Sequence, residues 1–157
     1  MKHFKLIILT CILAVQYSTG QGLDKEKQNQ RNEKIIKDYF AGWVKKDWNA
    51  VSTQLADGFT FTSPAPDDHI SIEKFKEKCW VQAEHIQKLD FIKIIRNEHE
   101  AFAIVHVITI DNKIIRNIEY FNFSNGKIKS IEVFFGGTGQ GFPTNEKYNA
   151  QRKPKKK

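Results

Sequence analysis

The chain has 157 residues, 40 % of them hydrophobic and 12 % aromatic, which suffices for one packed core and is short for two domains. Its formal net charge is +7, but Lys2, Lys5 and the five basic residues of the terminal "QRKPKKK" account for all of it. Residues 21–151 are therefore neutral, and a folded body without net positive charge gives no reason to expect a nucleic-acid partner.

In chain order, Lys2 and Lys5 precede an apolar stretch from Leu6 to Val15 and the small residues Ser18, Thr19 and Gly20. These are the three zones of a secretory signal peptide. The stretch is shorter than the roughly 20 apolar residues that span a bilayer. The expectation is a signal peptide over 1–20, cleavage near Gly20, and a secreted or periplasmic protein without a stable membrane anchor. Loss of Cys11 leaves Cys79 alone, so no intramolecular disulfide is expected, and Cys79 reads as a small buried hydrophobe.

Residues 21–32 form a polar lead-in. Ile35, Ile36, Tyr39, Phe40, Trp43 and Val44 then recur at helical spacing and predict an amphipathic helix. Asp47 is placed to cap a short second helix carrying Trp48, Val51 and Leu55. The run "FTFTS" alternates, with Phe59, Phe61 and Ser63 on one face, and Pro64 and Pro66 end it. Ser71 is placed to cap a third helix, with Ile72, Phe75, Cys79, Ala83 and Ile86 inward and Trp80 beside that stripe. Beyond Lys88 come four β-rich segments, with two-residue hairpin turns expected at Asp111–Asn112 and Asn125–Gly126. Residues 138–157 read as a flexible basic tail. Helices first and an antiparallel sheet later is an α+β plan in which the sheet curls round the helices.

The segments "YFAGWVKKDWNAVSTQLADGFTFTSP", "DDHISIEKFKEKCW" and "IEYFNFSNGKIKSIEVFFGG" together resemble the SnoaL-like branch of the nuclear transport factor 2-like (NTF2-like) superfamily over residues 33–137. The resemblance implies three helices packed on a curved, mainly antiparallel sheet that forms a cone-shaped half-barrel with an interior pocket. It leaves function open among steroid isomerases, polyketide cyclases, dehydratases, transport adaptors and members without assigned activity. Ketosteroid isomerases, in the same superfamily, use an Asp base and an oxyanion hole made by a Tyr and a protonated Asp. By resemblance, the tyrosine falls on Tyr39, the oxyanion-hole acid on Glu119 in "IEYFNF", and the base on Ser63. A serine cannot hold an abstracted proton as a carboxylate does, so the isomerase pattern breaks there.

Alternation assigns to the cone interior Phe59, Phe61 and Ser63; Phe102, Ile104, His106 and Ile108; Asn117, Glu119 and Phe121; and Ile131, Val133 and Phe135. His106 is either a core imidazole bonded to a neighbour or a base oriented by Glu119. Glu119 either pairs with Arg116, Lys113 or a strand neighbour, or faces the pocket. Tyr39 packs on the helix stripe with its hydroxyl available to the cavity, and Trp43 and Trp80 are core residues or ligand platforms. Asp67, Asp68 and His69 precede Ser71, so a carboxylate there could meet the free amides of the third helix. The resemblance also places the run Asp67, Asp68, His69 and Ile70 in a loop at the cavity mouth. No metal is expected, since His85, His99 and His106 show no ligand spacing, and "FGGTGQG" leads into Pro143 rather than a helix, which argues against a phosphate cradle. No cofactor is implied.

Three classes of function stand open. One is a binding protein for a small hydrophobic or carbonyl-bearing molecule, with Trp43, Phe59, Phe61, Ser63, Asp68, His69, Trp80, Asn117, Phe121 and Phe135 as contacts. The second is a proton-transfer enzyme of isomerase, cyclase or dehydratase type using Tyr39, His106 and Glu119. The third is a homodimer joined through the outer sheet face by residues such as Val105, Val107 and Ile118.

Overall fold

The computed structural model describes residues 2–64 and 67–136, with side chains described over 22–64 and 67–134. The expected tail at 138–157 and the side chain of Phe135 lie outside the described residues.

Helix α1 runs over Lys2–Lys45. The polar stretch 22–32 is thus helical rather than a frayed lead-in, and ion pairs to the sheet explain why. Lys25 meets Glu98 at 3.6 Å, and Arg96 reaches Glu26 at 3.3 Å and Glu33 at 2.7 Å. Asn32 is fully buried; its amide donates to the carbonyls of Asn97 and Glu98 at 3.2 and 3.1 Å, while its oxygen accepts from Gln28. These polar contacts satisfy the turn between two strands, which a buried helix face would otherwise leave unpaired. Among the described residues, no helix is long and apolar enough to cross a membrane.

Helix α2, Trp48–Ser52, starts at Asp47, whose carboxylate accepts from the Ala50 amide as the sequence predicts. Strand β1 is Leu55–Thr62 and the two-residue β2 is Ile70–Ser71. Helix α3, Ile72–Lys78, passes into a turn of 3-10 helix over Trp80–His85. Ser71 holds the N-cap position, but its hydroxyl donates to Glu73 instead of capping a backbone amide. Strands β3 (Ile86–Arg96), β4 (Glu100–Thr109), β5 (Ile114–Ser124) and β6 (Lys127–Gly136) form an antiparallel meander, and β1 joins β6 in parallel. The sheet order is β2-β1-β6-β5-β4-β3.

The concave face of this sheet packs on α1 and α3. Ile36, Tyr39, Phe40 and Trp43 of α1 meet Phe121 of β5 and Phe91 of β3, with Phe121 fully buried and its ring 5.9 Å from Tyr39 and 6.1 Å from Phe40. Phe75 of α3 touches Phe59, Phe61 and Trp43. Burying a large aromatic side chain stabilises the fold by roughly 2 to 3 kcal/mol each on area grounds, so this cluster is the main adhesive.

The β5–β6 hairpin closes through Asn125 and Gly126, both at positive φ, with Ser124 opposite Lys127. The β4–β5 turn is one residue longer than expected. Ile108 pairs with Ile114, the Thr109 amide donates to the Lys113 carbonyl, and Asn112 takes φ 60°, so residues 110–112 form the loop. A two-residue loop would have set His106 opposite Asn117; the observed register sets His106 opposite Arg116 and Val105 opposite Asn117. The parity of β4 is therefore the reverse of the expectation. Ala101, Ala103, Val105 and Val107 face the interior, and Phe102, Ile104, His106 and Ile108 face outward.

Helix α1 approaches α2 closely at Gly42. A Cβ there would lie 2.7 Å from Val51 Cγ2 and 3.0 Å from the Val51 amide nitrogen. Gly42→Ala should therefore destabilise the fold by about 1 to 3 kcal/mol in a urea titration, despite the roughly 1 kcal/mol that helix propensity alone favours alanine.

Candidate functional site

Between α1, α3 and the sheet a cavity of about 590 Å³ remains. That volume is in the range of small-molecule sites. Its walls are mainly apolar: Phe40 from α1, Phe61 from β1, Phe75 from α3, Leu89 from β3, Val107 from β4 and Val133 from β6. Exposed Gln82, His85 and Ile115 line it as well and mark its mouth.

Its polar groups come from three sides. Tyr39 and Trp43 project from α1, Asn117 and Glu119 from alternate positions of β5, and Ser63 with Asp67 from the end of β1 and the loop after it. Glu119 is 7 % exposed, stands beside Ala103 and Val133 in the sheet, and has one carboxyl oxygen buried without a hydrogen bond. Desolvation by this burial raises its pKa to about 8, so Glu119 is a neutral acid at neutral pH. The Tyr39 hydroxyl is held well above its ordinary value, first by burial and then by the nearby Glu119. The Trp43 indole N–H lies near enough to Tyr39 to favour its ionised form slightly, but lacks the alignment of a hydrogen bond and is otherwise unpartnered. Asn117 Oδ1 is also buried without a partner.

Of the loop expected at the cavity mouth, Asp67, which was not among the named contacts, is the residue that lines the cavity. Its backbone carbonyl accepts from the Ser63 amide at 2.8 Å, and its carboxylate pairs with Lys78 at 2.7 Å and lies 3.5 Å from the Ser63 hydroxyl. A carboxylate thus stands beside the serine that replaces the isomerase base. The Lys78 ammonium is stabilised chiefly by that contact. The backbone contact between Ser63 and Asp67 is what brings Asp67 back to the strand end. Cys79 also lines the cavity, and burial pushes its thiol up to about 11, which keeps it un-ionised.

The structure brings together Tyr39, Trp43, Phe61, Ser63, Asn117 and Glu119 of the expected site. It does not bring the others. His106 lies on the opposite sheet face, between Asp90 and Arg116, because of the β4 register. Phe59 packs behind the wall on Phe75, and Phe121 is enclosed by Tyr39, Phe40 and Phe123. Trp80 packs at a steep tilt against Trp43 and edge-on against Trp48, 4.9 and 5.3 Å between centroids, and does not line the cavity. Asp68 and His69 pair with each other on the surface, their side chains 81 % and 75 % exposed, rather than reaching the cavity or α3. Among the described residues, no three His, Cys, Asp or Glu side chains converge as metal ligands would.

Neutral burial of Glu119 makes the fold sensitive to alkali. Its folded pKa exceeds the ordinary 4.5, so between about pH 4.5 and 8 the unfolded chain has lost a proton that the folded chain keeps. Stability from this group is fully present below 4.5, falls as pH rises, and levels off above about 8. The slope approaches roughly 1.4 kcal/mol per pH unit within that window. Urea titrations at pH 5, 6.5 and 8 should show the decline, and Glu119→Gln should flatten it.

No family model and no curated protein matches the sequence. Solved structures do match in fold. A protein from Kribbella flavida superposes with TM-score 0.61 at 14 % identity, covering 75 % of this chain and 93 % of that one. A proposed SnoaL-like polyketide cyclase from Jannaschia sp. gives 0.58 at 9 % identity, over 69 % and 87 %. A proposed ketosteroid isomerase, also from Kribbella flavida, gives 0.58 at 13 %, over 75 % and 87 %. With helices on a curved six-stranded sheet, and neighbours of this kind, the chain has the α+β cone fold of the NTF2-like superfamily and its SnoaL-like domains.

Proposed function

We propose that this chain binds a small, largely apolar molecule inside its cone. The observation that carries this is the cavity of about 590 Å³, apolar over most of its wall, with a neutral Glu119 at its polar end, one of whose carboxyl oxygens is buried without a partner. A buried carboxyl oxygen without a hydrogen bond costs stability. Its retention is accounted for if a ligand's polar end completes it. The alternative, proton transfer by Tyr39, His106 and Glu119, loses its base, since His106 is outside the cavity. Binding is therefore favoured over catalysis by that set. Function in a secreted or periplasmic setting, after cleavage near Gly20, belongs to the same proposal and rests on the charged, apolar and small zones of residues 1–20.

Filling the space is the direct test. An apolar fluorescent probe such as anilinonaphthalene sulfonate should bind the purified chain saturably. Val107→Phe, which places a ring in the cavity, should weaken that binding at least tenfold with the circular dichroism spectrum unchanged. Saturable binding that ignores the substitution would place the probe elsewhere and remove the support for an interior site.

A second reading is self-association, favoured by the outer sheet face. Ile92, Ile95, Phe102, Ile118 and Phe134 are 40 to 55 % exposed there, and Phe102 stacks on Tyr120. The residues differ from those expected, because Val105 and Val107 point inward and only Ile118 lies outside. A contiguous apolar face of this kind is typical of an interaction surface. Light scattering should give a dimer mass for the unmodified chain and a monomer mass for Phe102→Asp with Ile118→Lys; a concentration-independent monomer in both would end this reading.

A further inference from the structure

Resting on the binding reading above, we propose that the polar end of the cavity is built for one hydroxyl group carried on an apolar body. Three atoms carry this: Trp43 Nε1, Asn117 Oδ1 and a carboxyl oxygen of Glu119 are all buried and unpartnered. Their residues are 8, 7 and 7 % exposed, and all three line the same cavity. Asn117 and Glu119 sit two apart on one face of β5, and Trp43 lines the same cavity from α1, its ring 6.2 Å from that of Tyr39.

The hydrogen-bonding inventory of these atoms selects the head group. An indole N–H only donates, and an amide oxygen only accepts. A protonated carboxyl supplies an O–H donor, and Glu119 is protonated at neutral pH because burial disfavours its charge. With the Glu119 proton on its unpartnered oxygen, these three atoms offer two donors and one acceptor. A hydroxyl has one O–H and two lone pairs, and so matches all three.

Other heads leave something unmet. A ketone accepts twice but gives Asn117 nothing. An ammonium donates but cannot accept from Trp43 or the neutral acid. A carboxylate brings an unpaired charge against the uncharged Glu119. Each buried group left unmet disfavours a ligand relative to one that meets it, by up to about tenfold. The apolar walls of Phe61, Phe75, Leu89, Val107 and Val133 accommodate the body. Fused rings of naphthalene size lie well within the volume.

Equilibrium dialysis of the full chain at pH 6.5 tests this with naphthalene, 2-naphthol, 2-acetylnaphthalene and 2-naphthylmethylammonium. The expected order is naphthol tightest, about tenfold over naphthalene, the ketone between them and the cation weakest. The naphthol-to-naphthalene ratio should fall toward one in Trp43→Phe, which keeps the ring and removes the N–H, and independently in Asn117→Leu. A ratio near one in the unmodified chain, or a ratio that neither substitution lowers, overturns the hydroxyl assignment while leaving the interior site standing. Failure of all four compounds to bind a folded chain overturns the binding reading and the assignment together.

Discussion

Everything about this molecule depends on the seating of one helix in one concave sheet. Tyr39 and Phe40 of α1 straddle Phe121 of β5, and that contact fixes how far the sheet is held from the helix. Small side chains on the neighbouring strand, Ala101 and Ala103, let the helix come close on that side. One turn further along, the helix presents Trp43 and then ends at Lys45, while the strands continue. The cavity is the space left between this last turn of α1, helix α3 and the strands.

The same geometry explains the chemistry of the acid inside. Glu119 lies on the face that any well-packed sheet would fill with apolar residues, between Ala103 and Val133. Among the described residues, no Lys or Arg lines the cavity, the imidazole of His85 lies at the mouth, and the ion pair of Asp67 with Lys78 belongs to another wall. Desolvation therefore acts on Glu119 almost without opposition. An uncharged acid, an amide and an indole make an end that is polar without being charged.

Much of the fold was legible because its signals are local. The stripe on α1, the Asp47 cap, the alternation of β1 and the Asn125–Gly126 hairpin each express a short-range preference that the tertiary structure then follows. The interior rows of β1, β5 and β6 were legible for the same reason. Strand β4 was not, since both its faces are apolar and alternation cannot choose between them. The choice falls to the turn, where residues 110–112 use Asn112 at positive φ and thereby add the residue that reverses the strand. The site inherited that ambiguity through His106. Asp67 was hidden for a different reason: its position comes from a chain reversal, and reversals carry no periodicity to read.

Asn32 ties the middle of α1 to the tip of the β3–β4 hairpin through two carbonyls 65 and 66 residues away. Neither partner is satisfied by its own element alone. Transient separation of the hairpin tip would strip the buried amide of its acceptors, and unwinding of the helix there would strip the carbonyls of their donor. Fluctuations at these two distant points of the chain are thereby coupled. In amide hydrogen exchange, residues around Asn32 and those around Asn97 and Glu98 would open as one cooperative unit, even though nothing in their local sequence links them.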